Sequence, residues 1–191
     1  MKKSVLYFEK SGPQNTDEVL KACFERAVEL GIKDIVVATA YGDTALKAAK
    51  VFDPKKFNLV AVTINEGFMA YEGWRITDEA KEEMKANGIK VFTGIIGLGE
   101  DVNTAFTTKF GGLSPNRIVG EAYYTFCQGM KVCVEIILMA ADSGLIPVDK
   151  EVISIAGTAR GADTAIVASS NYPREFSDFK IKEIVSKPRD G

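Results

Sequence analysis

Short β-branched runs alternating with stretches of helical period dominate the chain. Val5 to Phe8 reads as a first strand. Asn15-Thr16-Asp17-Glu18 offers a cap with Glu three residues on, and Val19, Leu20, Cys23, Phe24, Ala27 and Val28 follow at helical spacing until Gly31. Ile35 to Ala38 is continuously apolar, as for a strand covered on both faces. A short helix is expected from about Thr44 to Val51 and a strand from Leu59 to Ile64. Asn65 to Arg75 has neither period. With Phe68, Tyr71 and Trp74 set among two glycines, it reads as an aromatic loop. Thr77 caps a polar helix to Asn87, and Lys90 to Ile96 gives a fourth strand. A helix around Val102 to Thr108 comes next. Ser114-Pro115 opens another to about Cys127, and a further helix runs from about Lys131 to Asp142. Strands follow at Val152–Ala156 and Thr164–Ala168. The last, Phe179 to Val185, alternates with Lys180, Lys182 and Glu183 and is expected antiparallel at an edge.

This alternation predicts a three-layer α/β/α domain over residues 1–191, with an open, mostly parallel sheet and an antiparallel edge strand. The strands near 35–38, 59–64, 91–96 and 152–156 should be neighbours. Such sheets bind ligands outside the carboxyl ends of their strands.

Composition narrows the chemistry. A net charge of −2 over 191 residues gives no nucleic-acid or anionic-membrane footprint. No apolar run reaches the roughly 20 residues that span a bilayer, and Met1-Lys2-Lys3 opens no secretory leader, so a cytoplasmic protein is expected. The chain has no histidine. That excludes Ser-His-Asp and Cys-His hydrolases and imidazole-based zinc sites, and no metal is expected. Cys23, Cys127 and Cys133 lack a CxxC spacing and read as structural thiols.

Two strand-end junctions carry the candidate chemistry. In the first, Val36-Val37-Ala38 runs into Thr39, Tyr41, Gly42, Asp43 and Thr44. In the second, Ile155-Ala156 runs into Gly157, Thr158, Arg160, Gly161, Asp163 and Thr164. Glycine lets backbone N–H groups turn toward an anion, threonine adds a hydroxyl, and arginine adds a guanidinium fork. Neither loop is a Walker or G-x-G-x-x-G fingerprint. Phe68 and Trp74 are a candidate lid or stacking surface. Glu135 and Asp142, seven positions apart on one predicted helix, either cap backbone or pair with a cation, or help to form the site.

Ala38-Thr39-Ala40-Tyr41-Gly42-Asp43-Thr44-Ala45 resembles the strand–loop–helix of the pyruvate kinase C-terminal α/β domain that holds a phosphate of its sugar-bisphosphate activator. Ala156 to Thr164 resembles the Gly-rich late loop that closes over the same effector. The chain is more similar still to small stand-alone proteins built on that domain, which share Val132-Cys133-Val134-Glu135-Ile136 and Met139-Ala140-Ala141-Asp142-Ser143-Gly144. The resemblance implies that fold. It does not carry over phosphotransfer, which belongs to a separate barrel of roughly 250 residues for which this chain is expected to have no room. Asp43 departs from the kinase loop, which is hydroxyl-rich or basic there. This disfavours a bisphosphate and favours one phosphate plus hydroxyls.

The expectation is a binding or regulatory module for a phosphorylated small molecule, with flavin mononucleotide (FMN) as leading candidate. FMN joins one phosphate, a hydroxylated chain and a flat ring. An enzyme using a flavin, or Glu135, Asp43 or Cys133, is the first alternative; a structural or homo-oligomeric protein is the second.

Overall fold

The β-branched runs assemble into one sheet. The computed structural model describes residues 2–74, 76–99 and 101–190. Among these the strands are β1 (Leu6–Lys10), β2 (Asp34–Ala38), β3 (Asn58–Val62), β4 (Lys90–Phe92), β5 (Glu151–Ala156), β6 (Thr164–Ser169) and β7 (Ile181–Asp190), in the order β1-β7-β6-β5-β2-β3-β4. β5, β2, β3 and β4 are parallel neighbours, as expected. The antiparallel pairings, β5 with β6 and β6 with β7, lie on the other side of the sheet. One detail differs from expectation. β1 pairs in parallel with β7 and is the outermost strand, so the last strand lies one place in from the edge.

Strand alternation sends successive side chains to opposite faces. Ile35, Val37, Leu59, Ala61, Ile153 and Ile155 pack beneath α1 (Thr16–Leu30), α2 (Asp43–Val51) and α4 (Asp78–Ala86). Val36, Val60, Val62, Val152 and Ala156 face α7 (Gln128–Asp142), which is buried along nearly its whole length. Phe24, Phe52 and Phe57 close the first core as an edge-on cluster with centroids 5.3–5.9 Å apart. No helix among the described residues is long and apolar enough to cross a membrane.

Two local expectations are corrected. Asn15 does not cap α1 through its side chain. Its backbone is already helical after a 3₁₀ turn at Pro13–Asn15, and its amide instead donates to the Lys10 carbonyl at 2.8 Å. The segment read as an aromatic loop contains α3 (Glu66–Glu72). There the Asn65 side chain accepts from the Phe68 N–H at 2.9 Å, and Gly73 closes the helix at φ 72°. Arg75 and the Tyr71 ring, which belonged to that expectation, lie outside the described residues.

Connections run away from one line in the sheet. From β2 the chain moves through α2 to β3 and then β4; from β5 it moves the opposite way to β6 and β7. β2 and β5 are nevertheless adjacent and parallel, with Val37 opposite Ile155. The crevice beyond their carboxyl ends is a topological switch point, where diverging loops leave room for a ligand.

Candidate functional site

Ala38 and Ala156 end these two strands, so the loops that follow meet at the switch point. Thr39 is buried, and its hydroxyl accepts from the Gly42 N–H at 3.0 Å, which folds the first loop into a tight turn. Gly42 at φ 96° delivers the chain into α2, whose first turn brings Asp43 and the buried Thr44 to the cleft. The free N–H groups of such a turn are a positive helix end.

The second loop is held from behind. Asp163 is fully buried, and its Oδ2 accepts from the N–H groups of Gly12 at 3.0 Å and Thr158 at 3.1 Å. Its Oδ1 accepts from the Thr164 hydroxyl at 2.7 Å. Thr16 adds a second anchor, its hydroxyl accepting from the Ala162 N–H at 3.0 Å and donating to the Pro13 carbonyl at 2.7 Å. Gly157 and Gly161 are required by close approach. A Cβ on Gly157 would lie 2.8 Å from the Gly161 carbonyl oxygen. One on Gly161, already at φ 76°, would lie 2.5 Å from Pro13 Cα. Gly161→Ala is therefore expected to destabilise the protein by about 2–4 kcal/mol, from left-handed strain and overpacking together. Urea unfolding measures this directly.

Arg160 projects from the second loop to the first. Its Nε donates to Asp43 Oδ2 at 3.0 Å, and its guanidinium lies 5.2 Å from the centre of the Tyr41 ring. The Arg160 side chain is 61% exposed and that of Asp43 41%, so the contact is a solvated bridge of little weight in folding. The Thr158 hydroxyl is buried without a hydrogen-bond partner among the described residues.

Between and beyond the loops lies a cleft of about 450 Å³. Thr39, Asp43, Thr44, Gly157, Thr158, Arg160 and Gly161 line it, as do Phe68 and Trp74, whose rings meet edge to face at 6.2 Å. Tyr41 and Gly42 shape the loop without lining the cleft. Asp163 and Thr164 stand behind the loop, their polar atoms engaged by the chain itself. Glu135 lines the cleft from α7. Asp142 does not join it, because α7 runs antiparallel to the strands and carries its last residue to the far end of the sheet, where it is exposed.

Residues 17–168 match the family model of the pyruvate kinase alpha/beta domain. The chain belongs to that family. The match spans α1 through β6, so both cleft loops fall inside the family's own fold.

Sequence reasoning missed Lys131. It is buried on the cleft side of α7 and donates to Glu135 Oε2 at 2.7 Å, while Glu135 Oε1 accepts from the Leu98 N–H at 2.9 Å. Burial raises the Glu135 carboxyl above its ordinary value, opposed by Lys131 and by the Leu98 bond. A lysine four residues before a glutamate on an otherwise apolar helix was the readable signal. Cys133, by contrast, faces the core. Its thiol donates to the Ser154 carbonyl at 3.4 Å, and burial pushes its ionisation far up, which removes it as a nucleophile. All three cysteines are free and buried.

Proposed function

We propose that this protein binds a phosphorylated small molecule in the β2/β5 cleft, as a binding or regulatory module without phosphotransfer chemistry. The observation that carries the reading is the convergence of two glycine-shaped loops and the first turn of α2 at the carboxyl ends of adjacent parallel strands. Helix-end N–H groups and the guanidinium of Arg160 form a donor set for one phosphate. Asp43 next to Arg160 limits the positive charge there and suits a ligand with one phosphate and neighbouring hydroxyls.

FMN fits this set as the leading ligand. The cleft volume lies within the range of small-molecule sites, about 300–1,000 Å³. Phe68 and Trp74 offer apolar ring surface beside the phosphate loops.

Trp74 is the single tryptophan, so its emission reports on the cleft without ambiguity. Titration with FMN is expected to quench it saturably, with the same midpoint as a calorimetric titration. Emission indifferent to FMN that calorimetry shows to be bound would leave Trp74 as packing for α3 and take the ring out of the cleft.

A further inference from the structure

The cleft has a second polar end. α2 and the Gly157–Gly161 loop approach it from one face of the sheet, while α7 brings Lys131 and Glu135 from the other. The two side chains are only 8% and 6% exposed, and their separation is 2.7 Å. A buried pair of this kind gives little stability over apolar side chains of similar size, so its position on a cleft wall asks for a use beyond folding.

The pair lines the cleft with bonding capacity to spare. Lys131 has three N–H donors and Glu135 four acceptor directions. Among the described residues, one donor of Lys131 goes to Glu135, and Glu135 accepts from Lys131 and Leu98. Donors and acceptors are left over side by side. Two glycines let the neighbouring backbone approach the pair closely. A Cβ on Gly99 would come 3.3 Å from Lys131 Nζ and 3.9 Å from Glu135 Oε1, and one on Gly120 would strike the Leu98 carbonyl oxygen at 2.9 Å.

Charge decides what this end can take. Glu135 neutralises Lys131, and the nearby cleft residue Arg117 faces Glu121 at 3.5 Å. A second phosphate would meet two carboxylates against two cations and be poorly compensated in a partly dry site. A neutral ring edge with adjacent carbonyl and N–H groups matches the pair, with Lys131 donating to the carbonyl and Glu135 accepting from the N–H.

The geometry points to Lys131 and Glu135 as a specificity site for an imide-type edge on the ring of the bound ligand. This rests on the phosphate-ligand reading above and deepens it, because it makes the cleft bipolar: anion at the loops, heterocycle edge at α7. A sugar bisphosphate would satisfy the first end and not the second.

Three probes test it by calorimetry: FMN, FMN methylated at the ring N–H between its two carbonyls (N3), and ribitol 5-phosphate, which has the phosphate arm and no ring. Wild-type protein is expected to bind FMN at least tenfold more tightly than the N3-methyl form. In Lys131→Met/Glu135→Gln, the glutamine oxygen still serves the Leu98 N–H. That variant should lose the preference while holding ribitol 5-phosphate as wild type does. Equal wild-type affinity for FMN and N3-methyl-FMN overturns the proposal whether or not the variant folds. A preference that survives in the variant overturns it as well. Wild-type protein that binds none of the three, ribitol 5-phosphate included, overturns the phosphate reading and this one with it.

Discussion

Arg160→Ala is expected to weaken binding of FMN by roughly ten- to a hundredfold while leaving the melting temperature of the ligand-free protein nearly unchanged. The first half follows from chemistry: a charge-assisted hydrogen bond contributes about 1.5–3 kcal/mol, and each 1.4 kcal/mol is about tenfold in affinity. Asp43 takes only the Nε–H of Arg160, so the terminal guanidinium nitrogens remain for a phosphate. The second half follows from exposure. The Arg160 side chain is 61% exposed, and its ion pair with Asp43 is a surface contact of small worth. Calorimetric titration of both proteins, with a thermal scan of each, checks the two halves separately. Equal affinities would show that Arg160 does not meet the ligand.

Asp163→Ala is expected to produce the largest loss of stability of any change at this site. The substitution leaves the Gly12 and Thr158 N–H groups and the Thr164 hydroxyl buried around a void with their shared acceptor gone. Unsatisfied donors cost about 1–3 kcal/mol each, so a loss of about 3–5 kcal/mol is expected after relaxation. For a chain of this size each kcal/mol moves the melting temperature by about 2–4 °C. The second loop should loosen with it, since the same carboxylate joins Thr158 to the β1–α1 connection at Gly12. Urea unfolding measures the effect. An unchanged midpoint would mean that Asp163 is not the anchor and is free to turn toward a ligand.

Asp163 also shows what the sequence could convey about the site and what it could not. Its place in a Gly/Thr/Arg loop put it among the residues expected to meet a ligand, whereas in the fold its oxygens are taken by Gly12, Thr158 and Thr164. Whether it faces ligand or backbone depends on Gly12, more than 150 positions away, a contact no local pattern reveals. The same limit hid Thr16, which looked like part of a helix start and in fact anchors Ala162. The strands were legible because their apolar runs have no helical period, and their neighbours followed from the alternation of strand and helix. The edge was harder. β7 carries charge like an edge strand, yet β1, only five residues long, pairs outside it. α3 escaped because a seven-residue helix with an internal Gly67 shows no period, although its Asn65 cap and terminal Gly73 were readable. Lys131 was readable from its spacing to Glu135, but that both are buried and that Leu98 shares the carboxylate depends on the fold.

One phosphate is expected where the β2 and β5 loops meet. A crystal structure of the protein grown with FMN tests it most directly. Phosphate density is expected between the first turn of α2 and the Gly157–Gly161 loop, within hydrogen-bonding distance of Arg160, with the ring extending along the cleft past Trp74 toward Lys131. FMN bound on another face of the molecule, or in the cleft with its phosphate away from both loops, would contradict it.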